Sequence, residues 1–139
     1  MGQAIKGLMT TDLVTRPGST SVQEAARLMR ERDIGDILVM AGDRLQGIVT
    51  DRDIVVRCVA DRGDVSGVTL ADACSADLVT VTPDTEIDEA ARIMADRAVR
   101  RLPVVEGGRP VGVISLGDLA VARDPKSALG GISAAKPSD

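Results

Sequence analysis

The sequence predicts an α/β (α+β) fold made of two copies of one β-α-β-β-α unit, packed sheet to sheet about a pseudo-two-fold axis. Three observations carry that prediction. The chain repeats itself at a spacing of 65 residues, so that Ile5 to Val55 align with Leu70 to Ala120 without a gap and with about sixteen identities. Each copy holds one apolar stripe at helical spacing, and each holds two apolar runs joined by a glycine-containing turn. Self-similarity at a fixed period governs the choice of fold, and one copy alone has little core with which to stand by itself.

The elements follow in the same order in both copies. DLVT at Asp12 to Thr15 meets DLVT at Asp77 to Thr80, and the extended segments are placed at Leu13 to Thr15 and Leu78 to Val81. A helix is expected to start at Thr20 or Thr85, with Thr20 and Gln23 as a capping box and Thr85 and Asp88 as a weaker one. Its stripe is Val22, Ala25, Ala26 and Met29 in the first copy and Ile87, Ala90, Ala91 and Met94 in the second, the i, i+3, i+4, i+7 spacing of an amphipathic helix. An apolar strand follows at Ile37 to Met40 or Leu102 to Val105. After a four-residue turn, AGDR or EGGR, a second strand runs over Leu45 to Val49 or Val111 to Ile114, which suggests a hairpin. Another helix closes each copy. The boundaries are therefore 5–60 for the first repeat, 61–69 for a linker, 70–123 for the second repeat and 124–139 for a loosely held tail with Pro125, Gly130, Gly131 and Pro137.

Composition narrows the function. In 139 residues there is no Trp, Tyr, Phe or His, so the core is aliphatic and the commonest general base and zinc ligand is missing. Hydrolases built on a histidine are excluded. A formal charge of −4 and a pI near 4.8 oppose a nucleic-acid grip, which wants basic surface and aromatics for stacking. Cys58 and Cys74 form neither a C-x-x-C motif nor a disulfide framework, so reduced thiols and a cytoplasmic location are expected. Cys74 stands in the slot of Met9 and reads as a small buried hydrophobe. No apolar run approaches the ~20 residues of a membrane span.

The chemistry-bearing stretches are GIVTDRD, Gly47 to Asp53, and its echo GVISLGD, Gly112 to Asp118. Taken alone, [ST]-x-x-[DE] reads equally as a helix cap, with Thr50 and Ser115 as N-caps, or as a ligand contact. Asp51 with Asp53 makes a poor metal pair, because i and i+2 do not face one another and Leu116 replaces Asp51 in the second copy. Gly42 to Gly47 and Gly107 to Gly112 have phosphate-loop spacing but lack the lysine.

Together with MTTDLVT and CSADLVT at the starts of the copies and VRRLPVVEGGRPVGVIS in the second, these motifs make the chain closely resemble the tandem cystathionine-β-synthase (CBS) domain pair, or Bateman module. The resemblance spans nearly the whole chain. It implies that Thr50 and Ser115 contact phosphate, that Asp53 and Asp118 hold ribose, and that Thr15, Thr80, Ile37 and Leu102 line the pockets. The chemistry agrees, since a carboxylate accepts two hydrogen bonds from a vicinal diol and a hydroxyl at a helix start brings phosphate to free backbone N–H groups. The glycine lets backbone approach a ligand. Arg100 and Arg101 either reach phosphate or form a solvated pair; Gly35 and Asp36 occupy those slots in the first copy, so the pockets should differ in charge.

The resulting expectation is a stand-alone regulatory module, not an enzyme and without a metal, that binds AMP, ADP, ATP, NAD or S-adenosylmethionine in clefts between its repeats. It is expected to form a homodimer and to act on a separate downstream protein. The alternative is a constitutive dimerisation or docking module with empty pockets.

Overall fold

The two apolar stripes form helices of equal length in the computed structural model, which describes residues 3–74 and 78–123. Helix α1 (Val22–Arg32) buries Val22, Ala25 and Met29, and its counterpart in the second copy (Ile87–Arg97) buries Ile87, Ala90 and Met94. Ala26 is exposed and Ala91 half-buried, so the stripe is narrower than its sequence spacing suggested.

The caps also shift by one residue from the expected threonines. Ser21, with φ −71° and ψ 148°, accepts from the Glu24 N–H at 3.1 Å, because the Thr20 carbonyl is engaged by the Leu70 N–H at 2.8 Å. Glu86 starts the second helix with no side-chain cap. Thr85 instead turns its Oγ1 back to accept the Thr82 N–H at 3.1 Å.

Strands β1 (Thr15–Pro17), β2 (Asp36–Ala41) and β3 (Arg44–Thr50) form one sheet in the order β1-β2-β3, with β1 parallel to β2 and β2 antiparallel to β3. The predicted hairpin is present, but its turn is two residues, because Ala41 pairs with Arg44. Gly42 takes φ 63° there, a conformation that costs glycine nothing. After β3 come helix α2 (Asp51–Asp53), a π-helical segment Ile54–Val59 in which the Ala60 N–H reaches back to Val55 O, and α3 (Ala60–Arg62). Helix α4 (Leu70–Ala73) follows, then α5, the second-copy helix Ile87–Arg97. The second hairpin joins β4 (Arg101–Glu106) to β5 (Arg109–Ser115) and leads into α6 (Leu116–Arg123). Both hairpins carry an irregularity at the same place, between Val39 and Met40 and between Val104 and Val105.

The compact units do not coincide with the sequence repeats. Among the described residues, one unit runs from Val14 to Leu78, and the other combines those up to Leu13 with those from Val79 to Arg123. Each copy's lead-in segment thus packs on the other copy's helix and strands. The Leu70 N–H donates to Thr20 O and the Val22 N–H to Val68 O, while at equivalent positions the Ile5 N–H donates to Thr85 O and the Ile87 N–H to Gln3 O. Ile5 is fully buried among Val81, Ile87, Leu102 and Ile114; Leu70 is fully buried among Val22, Val39 and Val49. Fully burying each such aliphatic contributes about 1.5–3 kcal/mol, which makes the lead-ins core elements of the units they join. Val68, assigned to the linker, is buried as well. The tail from 124, together with Asp77 and the residues before it back to Ser75, lies outside the described residues.

Candidate functional site

The two motif stretches end their hairpins in the same arrangement. Thr50 leaves β3 with φ −103° and ψ 164°, its Oγ1 accepts the Asp53 N–H at 3.1 Å, and its own N–H donates to Asp53 Oδ2 at 2.9 Å. Ser115 and Asp118 repeat both bonds at the same 3.1 and 2.9 Å. The motif is therefore a complete capping box in each copy. The reciprocal bonds fix both carboxylates at the strand-to-helix corner, half-buried, with the second oxygen of each outside the box.

Neighbouring groups close much of the helix start. The Asp51 N–H donates to Gly35 O at 3.0 Å, and the Leu116 N–H donates to Arg100 O at 2.8 Å. In the first copy the Arg52 N–H is taken by Asp51 Oδ1 at 2.8 Å. The expectation that a phosphate would meet free N–H groups is corrected for this copy: residues 51 to 53 each spend their N–H on a protein acceptor. Asp53 Oδ1 also lies 3.8 Å from Arg57 Nε, a half-exposed i, i+4 pair. Arg57 further lines a cleft of about 380 Å³ with Cys58, Asp61, Arg62 and Asp72, which includes neither Thr50 nor Asp53.

The remaining expected site residues divide. Thr15 opens β1 and Thr80 precedes Val81, both half-buried. Ile37 and Leu102 are fully buried in the cores of their units. Packing covers both side chains here, so they act first as core. Arg100 is exposed. Arg101 begins β4 and pairs in register with Ser115, just as Asp36 pairs with Thr50. The sequence alone does not place these positions beside the hydroxyls, because cross-strand register depends on where the hairpin turn closes.

The glycine of the second motif has a different role from the one expected. A Cβ at Gly112 would lie 2.6 Å from Met9 Sδ and 3.1 Å from Thr10 O, so the close approach it permits is that of the chain's own lead-in. The Thr10 and Val113 backbones exchange hydrogen bonds there, at 2.9 and 3.0 Å. Cys58 is buried as expected, whereas Cys74 is half-exposed, which corrects its reading as a buried hydrophobe. Burial pushes both thiols above the usual cysteine range. Among the described residues no group of three or more His, Cys, Asp or Glu side chains gathers to hold a metal, and no helix is long and apolar enough to cross a membrane.

Comparison with known proteins adds four findings. The model of the CBS domain matches residues 5–59 and again residues 70–124. The chain is 37% identical over 118 residues to the CBS domain-containing protein YhcV of Bacillus subtilis, covering 85% of this chain and 84% of that one. Among solved structures, the CBS-domain containing protein ATU1752 from Agrobacterium tumefaciens aligns with a TM-score of 0.78 at 32% identity, over 88% of this chain and 95% of that chain. The CBS domain pair of protein MJ0100, solved in complex with 5′-methylthioadenosine and S-adenosyl-L-methionine, aligns with a TM-score of 0.80 over 91% of this chain and 100% of that chain; at 22% identity it shares the fold alone.

Proposed function

The chain belongs to the CBS-domain family, with two copies in tandem, and from that premise we propose that it is a regulatory module binding an adenosine-containing ligand at the Thr50–Asp53 and Ser115–Asp118 boxes. The observation that carries the reading is the repetition of one four-atom arrangement. In both copies one carboxylate oxygen accepts the backbone N–H of the hydroxyl residue, the hydroxyl oxygen accepts the backbone N–H of the aspartate, and the second carboxylate oxygen is left outside the box. That oxygen suits a ribose diol, and the hydroxyl keeps its own proton to donate to a phosphate or ring oxygen. The adenosyl compounds solved with the MJ0100 pair support the ligand class by fold analogy. AMP, ADP, ATP, NAD and S-adenosylmethionine are the candidates. Thr15, Thr80, Arg100 and Arg101 supply the further contacts, and no turnover is expected, since no nucleophile and base pair accompanies the boxes.

Regulation requires that the ligand favour one of two conformations, and its output passes to a separate protein. A second reading has an observation of its own. Val55, Val56 and Val59 are 59%, 49% and 46% exposed on the π-helical segment, an apolar face suited to a second copy of the chain. In this reading the module is a homodimerisation or docking unit even without ligand.

A thermal-shift screen against adenosine, AMP, ADP, ATP, NAD and S-adenosylmethionine, with GTP as control, tests the first reading. A ligand at a hundred times its dissociation constant adds about 2.7 kcal/mol to stability, or roughly 5–10 °C for a chain of this size. Asp53→Asn and Asp118→Asn retain a capping oxygen but lose the charge, and each is expected to abolish one site in calorimetry. No shift with any adenosyl compound at millimolar concentration refutes ligand sensing and leaves the docking reading.

A further inference from the structure

The boxes share their hydrogen bonds but not their surroundings. Across the hairpin from the hydroxyl stands Asp36 in the first copy and Arg101 in the second. Directly paired residues have Cβ atoms about 4.5–5.5 Å apart, so each charged side chain is rooted beside the residue whose hydroxyl the proposed function assigns to phosphate. The next position repeats the contrast. Asp51, half-buried, follows Thr50 and holds its carboxylate against the Arg52 N–H at 2.8 Å. Leu116 follows Ser115, is 49% exposed and carries no charge. Gly35 is answered by Arg100, whose backbone carbonyl anchors the start of α6.

Resting on that functional reading, we propose that the two boxes divide adenosyl ligands by charge. Ser115–Asp118 takes phosphorylated ligands such as AMP, and Thr50–Asp53 takes adenosyl ligands that carry no phosphate, with Asp36 and Asp51 as the excluding residues. A phosphate entering the first box meets two carboxylates besides Asp53, and the N–H it would use at residue 52 is already held by one of them. Arg57 does not reverse this, because its guanidinium stands 3.8 Å from Asp53 and its charge is balanced there. Arg52 is exposed. The same acidic surroundings favour a neutral or cationic ligand, so adenosine or a sulfonium nucleoside fits the first box better than AMP. In the second box Arg101 and Arg100 add positive charge on the phosphate side, and Leu116 stands where the first box has Asp51.

Isothermal titration calorimetry of the full chain with AMP and with adenosine tests the division. Asp53→Asn reports the second box alone and Asp118→Asn the first. With the second box alone, AMP is expected to bind about tenfold more tightly than adenosine at low salt, and the preference should shrink as salt screens it. With the first box alone, adenosine should bind at least as tightly as AMP. Adding Asp36→Asn and Asp51→Asn to that background should raise AMP affinity about tenfold and leave adenosine unchanged, whereas Arg101→Ala should lower AMP affinity at the second box. Equal AMP preference at both boxes, or no response to the Asp36 and Asp51 changes, overturns the division and leaves ligand sensing intact. No binding of either probe by the wild-type chain overturns ligand sensing, and the division with it.

Discussion

Ile5 sits by sequence at the start of the first copy, yet it is fully buried in the core formed by the second, among Val81, Ile87, Leu102 and Ile114. Ile5→Ala removes three carbons from that core. At about 0.8 kcal/mol per buried methylene, plus the cavity left behind, the loss falls in the range of about 2–5 kcal/mol. Roughly 3 °C per kcal/mol then lowers the melting midpoint by about 6–15 °C. With no tryptophan in the chain, far-ultraviolet circular dichroism in urea is the assay. The location is tested by double-mutant cycles. Ile5→Ala should be non-additive with Ile87→Val, with a coupling energy above about 0.5 kcal/mol, and additive with Val22→Ala within about that margin. Coupling to Val22 with additivity at Ile87 would refute the assignment of the lead-in to the second copy's core.

Other positions offer independent tests. Ala98 ends α5 in the left-handed region at φ 54°, where a Cβ costs roughly 1–2 kcal/mol; Ala98→Gly should therefore stabilise the chain by about 1 kcal/mol in the same urea assay, and a loss of stability would contradict the strain. Gly112→Ala places a methyl 2.6 Å from Met9 Sδ and 3.1 Å from Thr10 O. It should cost about 1–3 kcal/mol, and Met9→Ala should recover only part of this, because the Thr10 carbonyl is backbone. Thiol titration with a chromogenic disulfide should modify Cys74 first, slowly at neutral pH since desolvation raises its pKa, and Cys58 only in denaturant. Rapid modification of both thiols in the folded chain would contradict the burial of Cys58.

Much of the fold could be read from the chain because each helix and strand declares itself locally. The stripe ending in Met29 and Met94 and the glycine turns survive as α1, α5 and the two hairpins. What escaped was decided by choices between near equivalents. Thr20 and Ser21 are adjacent hydroxyls, and only the Leu70 N–H on the Thr20 carbonyl selects Ser21 as the cap. Likewise Ile5 and Leu70 face two cores of nearly the same composition, so no local pattern could tell which lead-in joins which core. For the candidate site, the motif revealed Thr50, Asp53, Ser115 and Asp118 together with their capping role. The depth of Ile37 and Leu102 and the pairing of Arg101 with Ser115 depend on packing and register, which repeat spacing does not encode.

The exchanged lead-ins also bear on how such a chain could have arisen. A gene encoding one copy would make a polypeptide whose own lead-in is poorly placed to complete its core, but two such polypeptides could complete each other by lending theirs, as in a domain-swapped homodimer. Duplication and fusion would turn that bimolecular event into an intramolecular one, replacing protein concentration by the much higher effective concentration of a tether. Once the halves were fused, they no longer had to remain identical. The freedom to diverge is visible where Asp36 faces Thr50 and Arg101 faces Ser115.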